Sequence, residues 1–320
     1  MNAVLRRAIG HWAVRLTVTA VLLGLIVWRS QPGRLLPAAG KLGSANLILA
    51  ALLTVPFLYL KTLRWLYMLR YAGTEVSFGE AATSLVGGMG VALLTPARVG
   101  EVARIAYLRD PRKLRLSALV MLDKFFDVLV LVLLAIGGAW QILGWEAGAA
   151  LSVIGAGGLV FTFFPQLFEG PVVRIERRAP LGGRTHEVFS SLESLSPTAT
   201  ALYIALTLGS FVLVIIQFWL IIHGAAHVSA GVAASTFPLV ILTNVVPLTI
   251  AGLGIREATA VVLLGHYHVA ASIAFVSAFT MFFLNTAIPG IVGAMIPIFR
   301  RALPQALKRD NAAHSDSSAR

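Results

Sequence analysis

The stretch LLTPARVGEVAR, residues 93 to 104, spaces Arg98, Glu101 and Arg104 three residues apart directly after Thr95 and Pro96, inside a chain that is otherwise apolar. Guanidinium groups beside a carboxylate can grip a phosphate ester, while the acid orients an arginine or takes up a proton. Thr95 suits an N-cap and Pro96 a first helical position, so a helix is expected to begin there, and its free amide end would attract anions. A second group follows in MLDKFFDVLVLVLL, where Asp123 and Asp127 share one helix face and Lys124 lies beside them. Ionisable groups at membrane depth are costly and should face a bundle interior or a wet path; an internal salt bridge that locks two helices is an equally open reading. A third stretch, NVVPLTIAGLGIREATA, places Pro247, Gly252 and Gly254 ahead of Arg256 and Glu257. Its glycines let the backbone unwind and approach a ligand closely. With no strand before it, the Gly-x-Gly does not make a nucleotide site.

Other chemistries find little support. Cysteine is absent, which removes disulfides, thiol nucleophiles and cysteine metal sites. There is no Gly-x-Ser-x-Gly elbow and no His-Glu-x-x-His pair. His223 and His227 have a metal-capable spacing but no carboxylate nearby, so a polar helix end is expected, and neither a metal nor a cofactor.

These charges sit in a chain of 320 residues that is 58% hydrophobic and only 12% charged, with a mean hydropathy of +0.83. That balance describes an all-α polytopic membrane protein. About six full spans are expected, at about 12 to 28, 45 to 60, 117 to 140, 148 to 168, 199 to 222 and 270 to 298. The pieces 80 to 95 and 232 to 248 are short and rich in Gly and Pro, and fit two re-entrant or broken helical hairpins. The first apolar run has no small-residue cleavage site before Trp28-Arg29 and reads as a retained helix.

The 26 Lys and Arg exceed the 14 Asp and Glu, for a net charge of +12. With the N-terminus inside, most of them fall on inner segments: Arg6, Arg7 and Arg15, then Lys61, Arg64 and Arg70, then Arg98 to Arg115, Arg174 to Arg184, and the tail. The positive-inside rule therefore puts both termini in the cytoplasm, and the basic loops imply anionic lipid partners rather than nucleic acid. The loop from Glu169 to Pro197 reads as a connector with an amphipathic helix, and the polar tail 301 to 320 as a disordered cytoplasmic segment.

A shift that brings Glu101 onto Glu257 also brings 45 to 60 onto 201 to 216 and 117 to 140 onto 273 to 296. Two halves, about 1 to 140 and 145 to 298, then form an inverted repeat within one membrane domain of residues 1 to 300, the plan of many secondary transporters. The hairpins would enter from opposite sides and bring their breaks together near the midplane.

In order along the chain, PARVGEVAR, DKFFD and PLTIAGLGIREA resemble the Pro-x-Arg-x-Gly-Glu-x-x-Arg, (Glu/Asp)-(Arg/Lys)-x-x-Asp and Pro-x-x-x-Gly-x-Gly-x-x-Glu motifs of flippase-like membrane proteins related to the transmembrane region of lysylphosphatidylglycerol synthetase. The resemblance covers about residues 12 to 300. It marks Pro96, Arg98, Gly100, Glu101, Arg104, Asp123, Lys124, Asp127, Pro247, Gly252, Gly254 and Glu257, and implies movement of lipids between leaflets of a bacterial-type inner membrane. Relatives accompany pathways that use polyprenyl-phosphate sugars or hopanoids, which implies lipid-modifying enzymes as partners. The departures are Thr95 and an Asp-Lys in place of the commoner Glu-Arg, which loses a bidentate fork. The aminoacyl-transferring domain of the synthetase is not among these residues, so the chain is not expected to aminoacylate phosphatidylglycerol alone.

The resulting expectation is a headgroup site at Pro96, Arg98, Gly100, Glu101, Arg104, Lys124, Gly252 and Gly254, with Asp123, Asp127, Arg256, Glu257 and Pro247 gating or coupling. With no ATP-binding motif, transport would be downhill, ion-coupled or partner-driven. A membrane-embedded transferase with Glu101 or Asp123 as base, and a scaffold of a lipid-modifying pathway, remain alternatives at this point.

Overall fold

The computed structural model describes residues 3–168, 170, 184–245 and 249–297, which are helical with no strand among them. Pro247 and the tail 301 to 320 lie outside the described residues. Helix α1 (Ala3–Arg29) and the short α2 (Pro32–Gly40) lead into α3 (Ser44–Tyr71). A hairpin follows, made of α4 (Phe78–Leu94) and a 3₁₀ helix (Pro96–Tyr107), and then α5 (Lys113–Gly138) and α6 (Trp145–Phe163). After the connector come α7 (Arg184–Glu193), α8 (Pro197–Ala226), α9 (Ala230–Leu242), α10 (Ile255–Gly265) and α11 (Ala271–Phe282). A π turn at Phe283–Ala287 carries α11 onward. Pro289, four residues past Asn285, lacks an N–H and crowds the Asn285 carbonyl, which accounts for the wider turn.

Among the described residues, four helical segments are long and apolar enough to cross a bilayer: Ser44–Tyr71, Trp145–Phe163, Pro197–Ala226 and Ala271–Pro297. The protein is a multi-pass membrane protein. Two of the expected spans differ from these four. The apolar part of α1, Leu16–Arg29, is shorter, and α5 carries Asp123, Lys124 and Asp127 within its length. Leu, Ile and Val side chains on α1, α3 and α6, such as Val21, Ile48, Val55 and Val153, stand exposed among the described residues and suit lipid contact. Trp28, Trp140 and Trp145 stand exposed where α1 and α5 end and α6 begins, as interfacial aromatics do.

Helices α3 and α8 pack antiparallel. At one end the Tyr71 hydroxyl donates to the Ser194 carbonyl (3.2 Å) and accepts from the Ser196 N–H (2.9 Å). At the other, Gly224 lies against the Leu42 carbonyl and the Asn46 side chain, where a Cβ would collide. The two feet of the first hairpin meet on the Tyr71 side. Arg112 reaches the Gly73 carbonyl (2.9 Å) and Asp110 (2.6 Å), and Thr74 Oγ1 donates to Asp110 (2.9 Å). A capping box starts α4: Ser77 Oγ accepts from Glu80 N–H (3.2 Å), and Glu80 accepts from Ser77 N–H (2.9 Å). The feet of the second hairpin, α9 and α10, meet through the Ser235 and Tyr267 hydroxyls (3.2 Å). They follow the far end of α8, where His227 at φ 51° ends the helix and His223 Nδ1 meets the Val228 carbonyl at 2.9 Å.

Glycines set the closest helix contacts. Gly87 faces the Tyr107 ring and Gly88 faces Cβ of Arg104, so the legs of the first hairpin nearly touch. Gly138 of α5 faces the Ser235 carbonyl of α9, and Gly293, beyond the π turn, faces the Val86 carbonyl of α4. Each hairpin is thereby held by a long helix from the other half of the chain. Leu93, at the end of α4, joins Ala251, Phe282, Ala287, Ile250 and Leu253 in one apolar cluster, so the second break packs against the end of the first hairpin's leading leg.

Because the chain has no cysteine, single cysteines report sidedness directly. Lys41→Cys and Glu146→Cys should react with an impermeant maleimide from one side of the membrane, and Glu75→Cys and Glu187→Cys from the other. Labelling of Lys41→Cys and Glu146→Cys from different sides would refute this arrangement.

Candidate functional site

The first break is built by Thr95. Its backbone turns extended (φ −109°, ψ 141°), and its hydroxyl donates to the Val91 carbonyl (3.0 Å) while accepting from the Gly100 N–H (2.8 Å). Gly100 sits against Val91 and Thr95, where no side chain would fit. The expected helix does start at Pro96, but it is a 3₁₀ helix twelve residues long. At three residues per turn, positions three apart eclipse. Glu101, Arg104 and Tyr107 therefore stand in one row, and Arg98 holds the next position, its side chain outside the described residues along with that of Pro96.

That row meets α5 roughly 15 Å along its axis from Lys113, at 1.5 Å per residue. Asp123 is sealed, with 3% of its side chain exposed. It accepts from Arg64 (2.7 Å), Arg104 (2.9 Å) and the Tyr203 hydroxyl. Asp127, one turn on, pairs with Arg64 (2.5 Å), Lys124 (3.5 Å) and Lys61 (3.8 Å). Lys124 also pairs with Glu101. Arg64 donates further to Thr207 Oγ1 (3.1 Å) and lies over the Tyr203 ring. The cluster thus draws on α3, the 3₁₀ helix, α5 and α8.

Trp65 ties these pieces together. Arg104 stacks on its ring with the guanidinium carbon 3.6 Å from the centroid. The Trp65 indole donates to Ser84 Oγ (3.3 Å), which in turn donates to the Arg104 carbonyl (2.8 Å). Exposure is graded across the cluster. Arg64 and Arg104 are each 2% exposed, whereas Lys124 is 39% exposed, so the closed end holds Asp123 and the open rim holds Lys124.

The second stretch is organised differently. Gly252 and Gly254 take φ of +78° and +88°, a region where side chains are strained, and Ala251 sits at +52°. Gly252 lies against the Asn244 side-chain oxygen, and Gly254 against α1 near Leu22. Glu257 is fully buried. It accepts from the Gly254 N–H (2.6 Å) and from Arg256 (3.0 Å), and Arg256 sits over the Phe282 ring. Glu257, expected from the sequence to gate or couple, thereby caps α10.

One correction and one expected pairing concern the charged groups. Lys61 and Arg64, read as part of an inner segment, belong to α3, which continues as one helix to Tyr71. A span ended at its first cation misses a helix whose cations are met by carboxylates inside the bundle. The salt bridge between Lys124 and an aspartate forms with Asp127, while Asp123 is taken by two arginines. Tyr203 and Thr207 were not singled out, since hydroxyls in an apolar helix give no signal until their partners are known.

The family description "Lysylphosphatidylglycerol synthase TM region" matches residues 12–293. The chain belongs to that family. The match takes in both hairpins and every element of the charged cluster, and assigns this lysylphosphatidylglycerol synthase TM region protein to a lipid-related membrane family. Comparison with curated proteins finds no match.

Two outcomes follow from the packing. Arg64→Ala leaves Asp123 and Asp127 short of a buried partner and should cost about 3–5 kcal/mol, read as a lowered thermal midpoint of the purified protein in detergent; an unchanged midpoint would show the pair to be dispensable. Outside the membrane segments, the Arg112 side chain and its N–H hold the Asp110 carboxyl well below the usual carboxylate range. A depressed native value means that the clamp stabilises fully above the unfolded value, roughly pH 4, and is lost only as pH falls through the lower native one. Maleimide labelling of Gly73→Cys should therefore stay slow from neutral pH down through pH 5, and Asp110→Asn should make it fast throughout.

Proposed function

We propose that this protein moves a polar or anionic lipid between leaflets, with the headgroup at the rim of the charged cluster and the tails left in the bilayer. The observation that carries the reading is the cluster itself. Three carboxylates and four cations from three elements, joined by Tyr203 and Thr207 of α8, lie within one membrane domain, closed at Asp123 and open at Lys124. Ion pairing alone would be served by a sealed group; a lysine left 39% exposed beside Glu101 and Asp127 is available to trade its carboxylates for a phosphate. Lys124, Glu101 and Lys61 then receive the headgroup, Asp127 rebalances the charge, and Asp123 with Arg64 holds the helices in register.

The two hairpins supply the moving parts. Their feet lie toward opposite ends of α8, and each is clasped by a glycine of the other half, Gly138 on α9 and Gly293 on α4. This reciprocal arrangement supports re-entrant hairpins in an inverted repeat, whose rocking would expose one rim alternately to the two sides. The basic loops favour an inner membrane with cytoplasmic termini. A hopanoid, a phospholipid or a polyprenyl-phosphate sugar all satisfy the chemistry of the rim.

In proteoliposomes carrying fluorescent phospholipid and polyprenyl-phosphate analogues, wild type should exchange at least one lipid between leaflets, and Glu101→Gln and Lys124→Ala should slow that exchange by about tenfold or more, the scale of one lost charge-assisted contact. Exchange indifferent to both substitutions would reject the rim as the transport site. Product formation from a lipid-linked substrate by the purified protein would favour a transferase instead.

A further inference from the structure

Arg104 uses only part of its guanidinium. Nη1 donates to Asp123, while Nε and Nη2 are buried with no hydrogen-bond partner among the described residues. These two atoms form the side-on edge of the group, the edge whose parallel N–H bonds match two oxygens of one carboxylate or phosphate. Its flat face is already occupied by Trp65 at 3.6 Å, which fixes the plane in which a ligand must lie. Nε of Arg64, likewise buried, also lacks an acceptor among the described residues. An unmet buried donor is costly, and a single water offers one oxygen where the fork presents two donors.

Charge points the same way. Lys61, Arg64, Arg104 and Lys124 face Glu101, Asp123 and Asp127, so one positive charge is left over among the described groups. Asp123 cannot absorb it, because Arg64, Arg104 and Tyr203 already converge on that carboxylate.

We infer that the side-on edge of Arg104 is a seat for one tetrahedral oxyanion, a phosphate ester, held in plane by Trp65 behind the Lys124 rim. The inference rests on the reading that headgroups reach this cluster, and extends it: the rim admits the headgroup and the Arg104 fork selects its phosphate. The same chemistry could be met by the phosphate of a lipid or by free phosphate.

The test is equilibrium binding to the full-length protein in detergent, read as a saturable rise in thermal midpoint with inorganic phosphate and, separately, with short-chain phosphatidylglycerol. Both should stabilise wild type. Arg104→Lys, which keeps the charge and loses the fork, should weaken both by about tenfold or more, while Arg109→Gln on the surface should leave them unchanged. Should Arg104→Lys fail to fold, wild type alone decides: sulfate should compete with phosphate and bromide should not, because only the former offers paired oxygens. Stabilisation by phosphate without phosphatidylglycerol would keep the seat and overturn its lipid source. Equal binding by Arg104→Lys, or bromide competing as well as sulfate, would overturn the seat. Leaflet exchange is measured independently, so exchange without phosphate binding would sink this inference and leave transport standing, and binding without exchange would do the reverse.

Discussion

Everything in this structure is arranged around one carboxylate, that of Asp123, held in the middle of a helix bundle with almost no access to solvent. A charge so placed is tolerable only when its partners are fixed and close. Arg64 comes from the helix before the first hairpin, Arg104 from the hairpin itself, and Tyr203 from the other half of the chain. Satisfying this one group therefore docks three elements onto α5 at a single depth and rotation. The packing of apolar side chains could not do this as specifically, since lipid tails are as apolar as the helices they would exclude.

Bringing Arg104 to that depth is the work of the hairpin. A twelve-residue 3₁₀ helix is an unusual length for that geometry, and what stabilises it is close contact with α4 across Gly87, Gly88 and Gly100. The tighter winding stacks Glu101, Arg104 and Tyr107 in one row, which an α-helix would have fanned apart by about 60° per step of three, at 3.6 residues per turn. Fold and chemistry thus share a cause: glycines allow the approach, the approach holds the 3₁₀ helix, and the 3₁₀ helix aligns the charges.

The two hairpins place their charges differently. The first directs its charges outward into a cluster shared with α3, α5 and α8. The second keeps Arg256 and Glu257 close to itself, with Glu257 closing the amide end of α10 and Arg256 resting on Phe282. Its positive-φ glycines serve backbone turns packed against Asn244 and α1. The open rim therefore belongs to the first half, and the second half supplies the helices that clasp it.

Much of this was legible in the sequence. Composition determines a membrane protein, apolar runs locate the long helices, and Thr95-Pro96 and Gly252 to Gly254 mark the breaks, because local chemistry alone decides caps, turns and partition into lipid. The spacing of Arg98, Glu101 and Arg104 and of Asp123, Lys124 and Asp127 announced where charge would be costly. Which cation meets which carboxylate was settled only in three dimensions. Lys61 and Arg64 looked like the end of a span, Tyr203 and Thr207 looked like ordinary hydroxyls, and the 3₁₀ winding had no local signature. Pairing energy depends on distance and burial, and those are properties of helices meeting far apart in the chain, which no single stretch of residues encodes.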